Sequence, residues 1–164
     1  MDRNACGRQA MEEHIRSILS EYGDLLYRVS LSIVGNASDA EDMVQDALVA
    51  YTGEAPYFPD AAHEKQWLVK VVRNNSLMFL RKNRNRERIL ENYVYTSRSS
   101  TADYGIMEAL KQVPEKYRTV LVLHYVEEYR VEEIAALLGK SVSAIKMRLK
   151  RGRSLLADKY EEYA

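Results

Sequence analysis

The side chains best suited to chemistry are a group of cations in the last third of the chain. They are Lys140, Lys146, Arg148, Lys150, Arg151 and Arg153, and no Asp or Glu occurs between Ile134 and Ala157. Cations at this density suit a phosphate backbone, because each phosphate they neutralise releases counterions. The group therefore predicts contact with duplex DNA. A solvated basic helix without a partner is the alternative that a charge run alone would favour.

Two apolar stripes at helical spacing, one on each side of Gly139, position these cations. Gly139 can take the left-handed conformation that ends a helix, and Ser141 is placed to cap the next helix. The stripes are Ile134, Ala135 and Leu138 before the turn, and Val142, Ile145 and Leu149 after it. This is the pattern of a helix-turn-helix, whose second helix enters the major groove of DNA.

A second group is the acid-rich segment from Ser38 to Leu48. Ser38 followed by Glu41 has the spacing of a capping box, which predicts a helix beginning there. The pattern turns Met43, Val44, Ala47, Leu48 and Tyr51 toward a core and leaves Asp42, Gln45 and Asp46 at the surface. Such a surface suits a protein partner with a basic patch, although an ordinary solvated face explains it equally well. No histidine or second carboxylate motif supports a metal or acid–base role.

A third group combines an aromatic side chain, an amide and cations in the segment from Gln66 to Arg84. Trp67 is predicted to anchor the core, with stacking on a base as the weaker option. The polar members are Arg73, Asn74, Arg81 and Lys82. That mixture suits single-stranded or melted nucleic acid, because the cations can bind phosphates and the amide can hydrogen-bond to the edges of exposed bases. A solvated basic helix end is the competing interpretation.

The 164 residues sum to zero formal charge, but the charges are separated along the sequence. Seven acids and no Lys or Arg lie between Val29 and Glu64, whereas seven bases and one acid lie between Lys70 and Arg88. Separated blocks indicate distinct surfaces for distinct partners. The single cysteine, Cys6, excludes an internal disulfide and fits a reducing cytosol.

Several classes of protein lack support in the sequence. No apolar run approaches the roughly 20 residues that span a bilayer, and the N-terminus lacks the apolar segment of a signal peptide, so we expect a cytoplasmic protein without membrane insertion. One cysteine and three scattered histidines give no familiar zinc spacing. Because no nucleophile–base pair or phosphate-binding loop occurs either, we expect no metal, no cofactor and no enzymatic activity.

Helix formers dominate and no strand-like alternation is convincing, so the sequence predicts an all-α fold. The β-branched run Thr119–Leu123 is interpreted as buried helix. Thr52–Pro59 is predicted to be a loop, and the Ser- and Thr-rich stretch Asn92–Ala102 a linker. The predicted helices are Met11–Ser20, Tyr22–Val34, Ser38 to about Tyr51, about Asp60 to Arg84, Tyr104–Gln112, Glu115–Glu127, Val131–Leu138 and Val142–Tyr160.

Taken in order, these segments resemble the extracytoplasmic-function (ECF) sigma factors of the sigma-70 family. The resemblance is carried by Asp-Ala-Glu-Asp-Met-Val-Gln-Asp-Ala, then Gln-Trp-Leu-x-Lys-Val-Val-Arg-Asn, then Val-Pro-Glu-Lys-Tyr-Arg before the helix-turn-helix, over roughly 22–84 and 106–156. It implies two small helical domains joined by a flexible linker. These are a sigma-2-like bundle at 10–90, a linker at 91–103 and a sigma-4-like helix-turn-helix domain at 104–162.

The resemblance also assigns residues to partners. Asp42, Gln45 and Asp46 would dock on the clamp helices of the largest subunit of core RNA polymerase, and the flap of the second-largest subunit is a further expected contact. The −10 promoter element would meet Trp67, Lys70, Arg73, Asn74, Arg81, Lys82 and Arg84. The −35 element would meet Lys140, Ser143, Ala144, Lys146, Met147, Arg148, Lys150 and Arg151. Many relatives are held inactive by an anti-sigma factor, which is therefore an expected partner.

This chain departs from the family pattern at three places. Met78 replaces an acidic residue that usually follows the asparagine, Ala144 to Arg148 replaces a common Thr-Val-Lys-Ser-Arg, and the loop Thr52–Pro59 is unusual. Met78 keeps open one alternative, a degenerate sigma-like protein that no longer starts transcription. A second alternative is a free-standing helix-turn-helix regulator that binds an operator as a dimer, which would give the acidic helix and the Trp67–Asn74 segment no purpose.

Overall fold

The computed structural model describes residues 3–83 and 104–161. Arg84 and the predicted linker at 91–103 lie outside these residues. The described residues are helical, without a strand, in agreement with the all-α prediction. In chain order the helices are α1 (Arg3–Val34), α2 (Ala37–Glu54), α3 (Ala61–Lys82), α4 (Tyr104–Gln112), α5 (Glu115–Tyr125), α6 (Val131–Leu138) and α7 (Val142–Glu161).

The first helix is one continuous rod, so the prediction of two separate helices over Met11–Val34 was wrong. The buried stripe runs without a break through Ile18, Tyr22 and Leu25, at the spacing of one helix face. Gly23 sits inside this helix, where an added Cβ would meet only Leu19 at 3.8 Å. Continuous burial on one side thus outweighs the weak helix propensity of a single glycine.

The start of α2 also differs from its prediction. Asn36, not Ser38, is the N-cap, and its Oδ1 accepts a hydrogen bond from the Asp39 amide at 2.9 Å. Asparagine is as good a cap as serine, so the helix begins about half a turn earlier than predicted. At its other end α2 runs to Glu54 and takes up the first part of the predicted loop. Asp60 then caps α3, accepting from the His63 amide at 2.9 Å.

The helix-turn-helix follows its prediction closely. Gly139 ends α6 with a left-handed φ of 61°, and the Ser141 Oγ accepts from the Ala144 amide at 3.1 Å. The apolar side chains on both sides of the turn are buried or half-buried as expected. Thr119–Leu123 is buried in α5, which confirms its interpretation as helix rather than strand.

One hydrophobic core runs through both halves of the described chain, α1–α3 and α4–α7. Helix α1 packs against α2, α3 and α5, and α3 packs against α6. Leu26, Leu68, Leu123 and Ile134 are all fully buried members of the same cluster. The two halves therefore lie directly on one another in this structure.

Polar contacts fix the register of this contact between halves. Arg118 is only 6% exposed, and its Nε donates to the Ser32 carbonyl at 2.6 Å. The Ser32 and Thr119 hydroxyls are 2.8 Å apart in the same buried layer. Nearer the surface, Arg28 pairs with Glu127. Buried donors left without these partners would destabilise the packing by about 1–3 kcal/mol each.

A further contact lies at the edge of the same interface, where the Lys65 Nζ is 3.0 Å from the Tyr129 hydroxyl.

Among the described helices, none has the length and apolarity to cross a membrane.

Candidate nucleic-acid interface

The outward side of α7 carries the predicted −35 contacts, apart from Lys140, which lies in the turn before this helix. Ile145 and Leu149 are buried and fix the inner side of the helix. Most of the predicted contacts are exposed, namely Lys140, Ser143, Lys146, Met147, Lys150 and Arg151, and two are half-buried, Ala144 and Arg148. The N-terminal turns of this helix thus present cations and small side chains where a recognition helix contacts base edges.

A shallow groove of about 580 Å³ lies beside this helix. It brings Ser143, Ala144, Met147, Arg148 and Arg151 together with two residues at the start of α5, Lys116 and Tyr117. Lys116 is exposed and adds a cation that our sequence analysis did not assign to DNA. The signal was present in the Glu-Lys-Tyr-Arg that opens α5, but only the fold shows that α5 begins next to α7.

Trp67 is held in an aromatic cluster at the start of α3. Its ring meets those of Tyr51 and Phe58 edge-on, with centroids 5.9 Å away in both cases. The indole is half-buried against the core, which supports the prediction that Trp67 is an anchor. Edge-to-face pairs of this kind add about 0.5–1.5 kcal/mol each beyond burial.

An open cleft of about 640 Å³ separates α3 from the turn between α6 and α7. It brings together five predicted DNA contacts, Trp67, Lys70, Arg73, Asn74 and Lys140. The cleft also contains residues that were not individually predicted to contact DNA, namely Pro56, Tyr57, Pro59, His63 and Gln66. Tyr57 is 91% exposed at the rim. A Tyr-Phe pair between two prolines was the signal that could have identified this rim.

Arg73 lines the cleft and is half-buried. Burial lowers the pKa of its guanidinium, and the nearby charges of Arg148 and Arg81 lower it further. Arginine stays protonated despite such shifts, so three cations from both halves of the chain share one region. A polyanion would relieve their mutual repulsion.

The far end of α3 and the acidic helix complete the predicted contacts. Arg81 and Lys82 are exposed in the last turn of α3, where cations also favour the helix dipole. Met78, the departure from the family pattern, is exposed on the same helix.

On α2, Asp42, Gln45 and Asp46 are exposed, whereas Met43 and Ala47 are buried, as the sequence predicted.

The fold and its surfaces define a class, that of a helical DNA-binding protein with a helix-turn-helix and a second basic, aromatic cleft. Comparison with known proteins shows which family of DNA-binding proteins this is. Residues 18–86 match the sequence profile of Sigma-70 region 2, and residues 105–156 match that of Sigma-70 region 4.

Similar proteins carry the same family name. The chain is 30% identical to the ECF RNA polymerase sigma factor EcfG of Rhodopseudomonas palustris, over 78% of this chain and 75% of that one. It is 26% identical to the sigma factor SigV of Bacillus subtilis, over 91% and 92%. A solved structure of the sigma factor RpoE with the anti-sigma factor NepR, from Bartonella quintana, aligns with a TM-score of 0.64, 22% identity and coverage of 91% and 98%. This chain belongs to the ECF RNA polymerase sigma factors of the sigma-70 family.

Proposed function

We propose that the protein directs bacterial RNA polymerase to its promoters by contacting the −10 and −35 elements with different halves of the chain. Residues 10–90 form the polymerase-docking and −10 domain, and 104–162 the −35 domain. The protein supplies no catalytic group of its own, because RNA synthesis is the chemistry of the polymerase. Its site of action is the cytoplasm, where polymerase and promoter DNA meet.

The −35 assignment rests on the exposure of the cations on the outward side of α7. This single observation also carries the proposal as a whole. Exposed cations there, Lys146, Lys150 and Arg151, are set on a helix whose inner side is fixed by buried Ile145 and Leu149. Such a helix can enter the major groove while its cations hold phosphates. Each base contact made by the side chains between them is worth about 1–3 kcal/mol of discrimination.

The −10 assignment is supported by the cleft beside α3. Exposed Tyr57 offers a face on which an unpaired base can stack. Asn74 is exposed in the same cleft and offers an amide to a base edge. Lys70 and Arg73 supply charge for the strand's phosphates. This combination suits a melted strand better than a closed duplex, because a duplex hides the faces of its bases.

The proposed protein partners follow from the surface of α2 and from relatives. Asp42, Gln45 and Asp46 form an exposed acidic patch that would dock on the clamp helices of the largest polymerase subunit. The flap of the second-largest subunit is proposed to bind the C-terminal half. An anti-sigma factor is a further proposed partner, since a structurally similar sigma factor was solved with one.

The test is transcription in vitro with core polymerase on a promoter library, followed by the double variant Lys146→Ala, Arg148→Ala. We expect the variant to lose at least about tenfold of its −35-dependent initiation, because it removes two cations from the side of α7 that binds the −35 element. The matched control is Arg8→Ala, Arg16→Ala, which removes two exposed cations from α1 and should leave initiation unchanged.

Two results would contradict the proposal. One is a wild-type protein that stimulates initiation from no promoter in the library, as a free-standing dimeric regulator would behave. The other is a Lys146, Arg148 variant whose initiation equals that of the control.

A further inference from the structure

Met147 is an exposed apolar side chain on α7. It lies two residues from Ile145 and two from Leu149, both of which are buried. At about 100° per residue, two positions correspond to about 200°, so Met147 is opposite the inner side of the helix. It is 69% exposed. A helix that enters the major groove with its buried side toward the protein turns this position toward the base pairs.

The neighbours of Met147 leave space on one side and charge on the other. Ser143 and Ala144 lie one turn before it, and Lys150 and Arg151 one turn after it. Helical side chains lean toward the N-terminus, so the thioether lies over the two small residues. The groove of about 580 Å³ is found there, lined by Ser143, Ala144 and Met147 among others. The cations are placed to hold the phosphates on either side.

The chemistry of the thioether limits what Met147 can recognise. It is an apolar, flexible group with a weak acceptor and no hydrogen-bond donor. In the major groove every base presents hydrogen-bonding groups, including O4 of thymine, and methionine, with no donor and only a weak acceptor, satisfies none of them well. Thymine alone presents a methyl group there. Isolated exposed methionines are common, but this one occupies the centre of the helix side that faces the bases.

We propose that Met147 is a specificity-determining residue that selects a thymine in the −35 element through contact with its 5-methyl group. This inference rests on the proposed function, since it needs α7 to bind the −35 element.

The experiment removes the methyl group and nothing else. A promoter is first selected from a library with core polymerase and the full chain. Each −35 thymine is then replaced singly by deoxyuridine, and the affinity of the polymerase complex for each DNA is measured. For the wild type we expect one position at which deoxyuridine weakens binding about fourfold, the value of one buried methyl group. Met147→Ser should bind thymine and deoxyuridine equally at that position.

Controls separate the methyl contact from other effects. Met147→Leu keeps an apolar side chain and should keep the deoxyuridine effect. Met11→Ser makes the same change at an exposed position on α1 and should behave as the wild type. The inference is overturned if no thymine position responds in the wild type, or if Met147→Ser shows the same response. Failure to select any −35-dependent promoter would instead overturn the proposed function, before deoxyuridine is used.

Discussion

At the scale of single residues, Tyr51 connects the helix that carries the acidic patch to the helix that carries the −10 contacts. Its hydroxyl donates to the Glu64 Oε1 at 2.5 Å, and the His14 Nε2 is 2.7 Å from the same oxygen. One carboxylate thus joins α1, α2 and α3. The Tyr51 ring also supports Trp67 from the side, so a change here should affect stability before it affects DNA contacts.

Replacing Tyr51 by Phe tests this network through its pH dependence. Burial raises the pKa of the Tyr51 phenol, and the hydrogen bond to Glu64 raises it further. The folded state therefore favours the protonated phenol. This contribution is fully present below the unfolded pKa of about 10 and is lost as pH rises above it, because only the unfolded chain then ionises.

We expect Tyr51→Phe to lower the free energy of unfolding by about 1 kcal/mol at pH 7 and to reduce the alkaline slope by up to about 1.4 kcal/mol per pH unit. Part of the slope should remain, because burial also raises the pKa of Tyr22, to about 12. Urea unfolding between pH 7 and 11.5 measures both effects. Tyr57→Phe, at an exposed ring, should leave stability at pH 7 nearly unchanged. Parallel pH curves for wild type and Tyr51→Phe would rule out this account.

Residues whose roles depend on local backbone geometry were predictable from the sequence. Gly139 and Ser141 are examples, since a left-handed helix end and a cap involve only neighbouring residues. Asn36 was missed because two good capping residues lie two positions apart, and propensity does not choose between them. Lys116 and Tyr57 were missed for another reason, namely that their surroundings are assembled from distant segments.

At the scale of elements, the approach of α5 to α7 depends on Gly152. An added Cβ there would lie 3.2 Å from two Leu121 side-chain atoms, and Leu121 is itself buried. We expect Gly152→Val to destabilise the protein by about 1–3 kcal/mol through overpacking. Gly53→Val is the matched control, because nothing lies within 4 Å of an added Cβ in that helical position. Equal urea midpoints for the two variants would show that α5 and α7 tolerate separation.

The acidic patch on α2 gives a prediction about docking. Reversal of Asp42 and Asp46 to Lys should weaken binding to core polymerase by at least about tenfold, since close charge pairs at interfaces couple by more than 1.4 kcal/mol. Binding of −35 duplex by α7 should not change. The same reversal at Glu12 and Glu13, exposed on α1, controls for net charge. Unaltered polymerase affinity in anisotropy titrations would remove the docking assignment.

The bounds of the short helices α4 and α6 matched their predictions, whereas α1 did not. Breakers such as Pro114 and Gly139 mark the ends of the short helices in the sequence itself. Nothing comparable marks the predicted break between Ser20 and Tyr22, and burial of α1 against α2 and α3 carries the helix through it. Secondary structure was thus predictable wherever local signals, rather than tertiary contacts, determine where a helix ends.

At the scale of the whole molecule, the two proposed DNA-binding surfaces adjoin each other at the turn between α6 and α7. Trp67 and Lys140 line one cleft, and Arg73 is close enough to Arg148 for their charges to interact. The −10 and −35 elements are about 25 base pairs apart, or about 85 Å of B-DNA at 3.4 Å per pair. One cleft cannot contact both elements at once. We therefore expect the halves to separate when the protein binds polymerase and promoter.

A disulfide across the interface tests this separation. The hydroxyls of Ser32 and Thr119 are 2.8 Å apart, so cysteines at these positions, with Cys6→Ser to remove the natural thiol, should form a bond on oxidation. We expect the oxidised protein to lose promoter-dependent transcription and to regain it on reduction. Each single-cysteine variant should be insensitive to oxidation. Equal activity of oxidised and reduced double variant would show that separation is unnecessary.

The contact between halves could not be predicted from the sequence. The apolar stripes of α1 and α5 predict that these helix faces are buried, but a stripe does not specify which helix covers it. Arg118 shows the difficulty well, since an arginine in an amphipathic helix is normally exposed. Its burial is understandable only once the Ser32 carbonyl is placed beside its Nε.

The core shared between the halves affects how much of the protein is needed to occupy the polymerase. If polymerase binds only separated halves, its apparent dissociation constant is the intrinsic one divided by the fraction of molecules that are separated. Every 1.4 kcal/mol of contact between α1 and α5 or between α3 and α6 then raises about tenfold the concentration needed to occupy half the polymerase. The buried layer around Ser32, Arg118 and Thr119 would thus set how many copies a cell must make before the promoters respond.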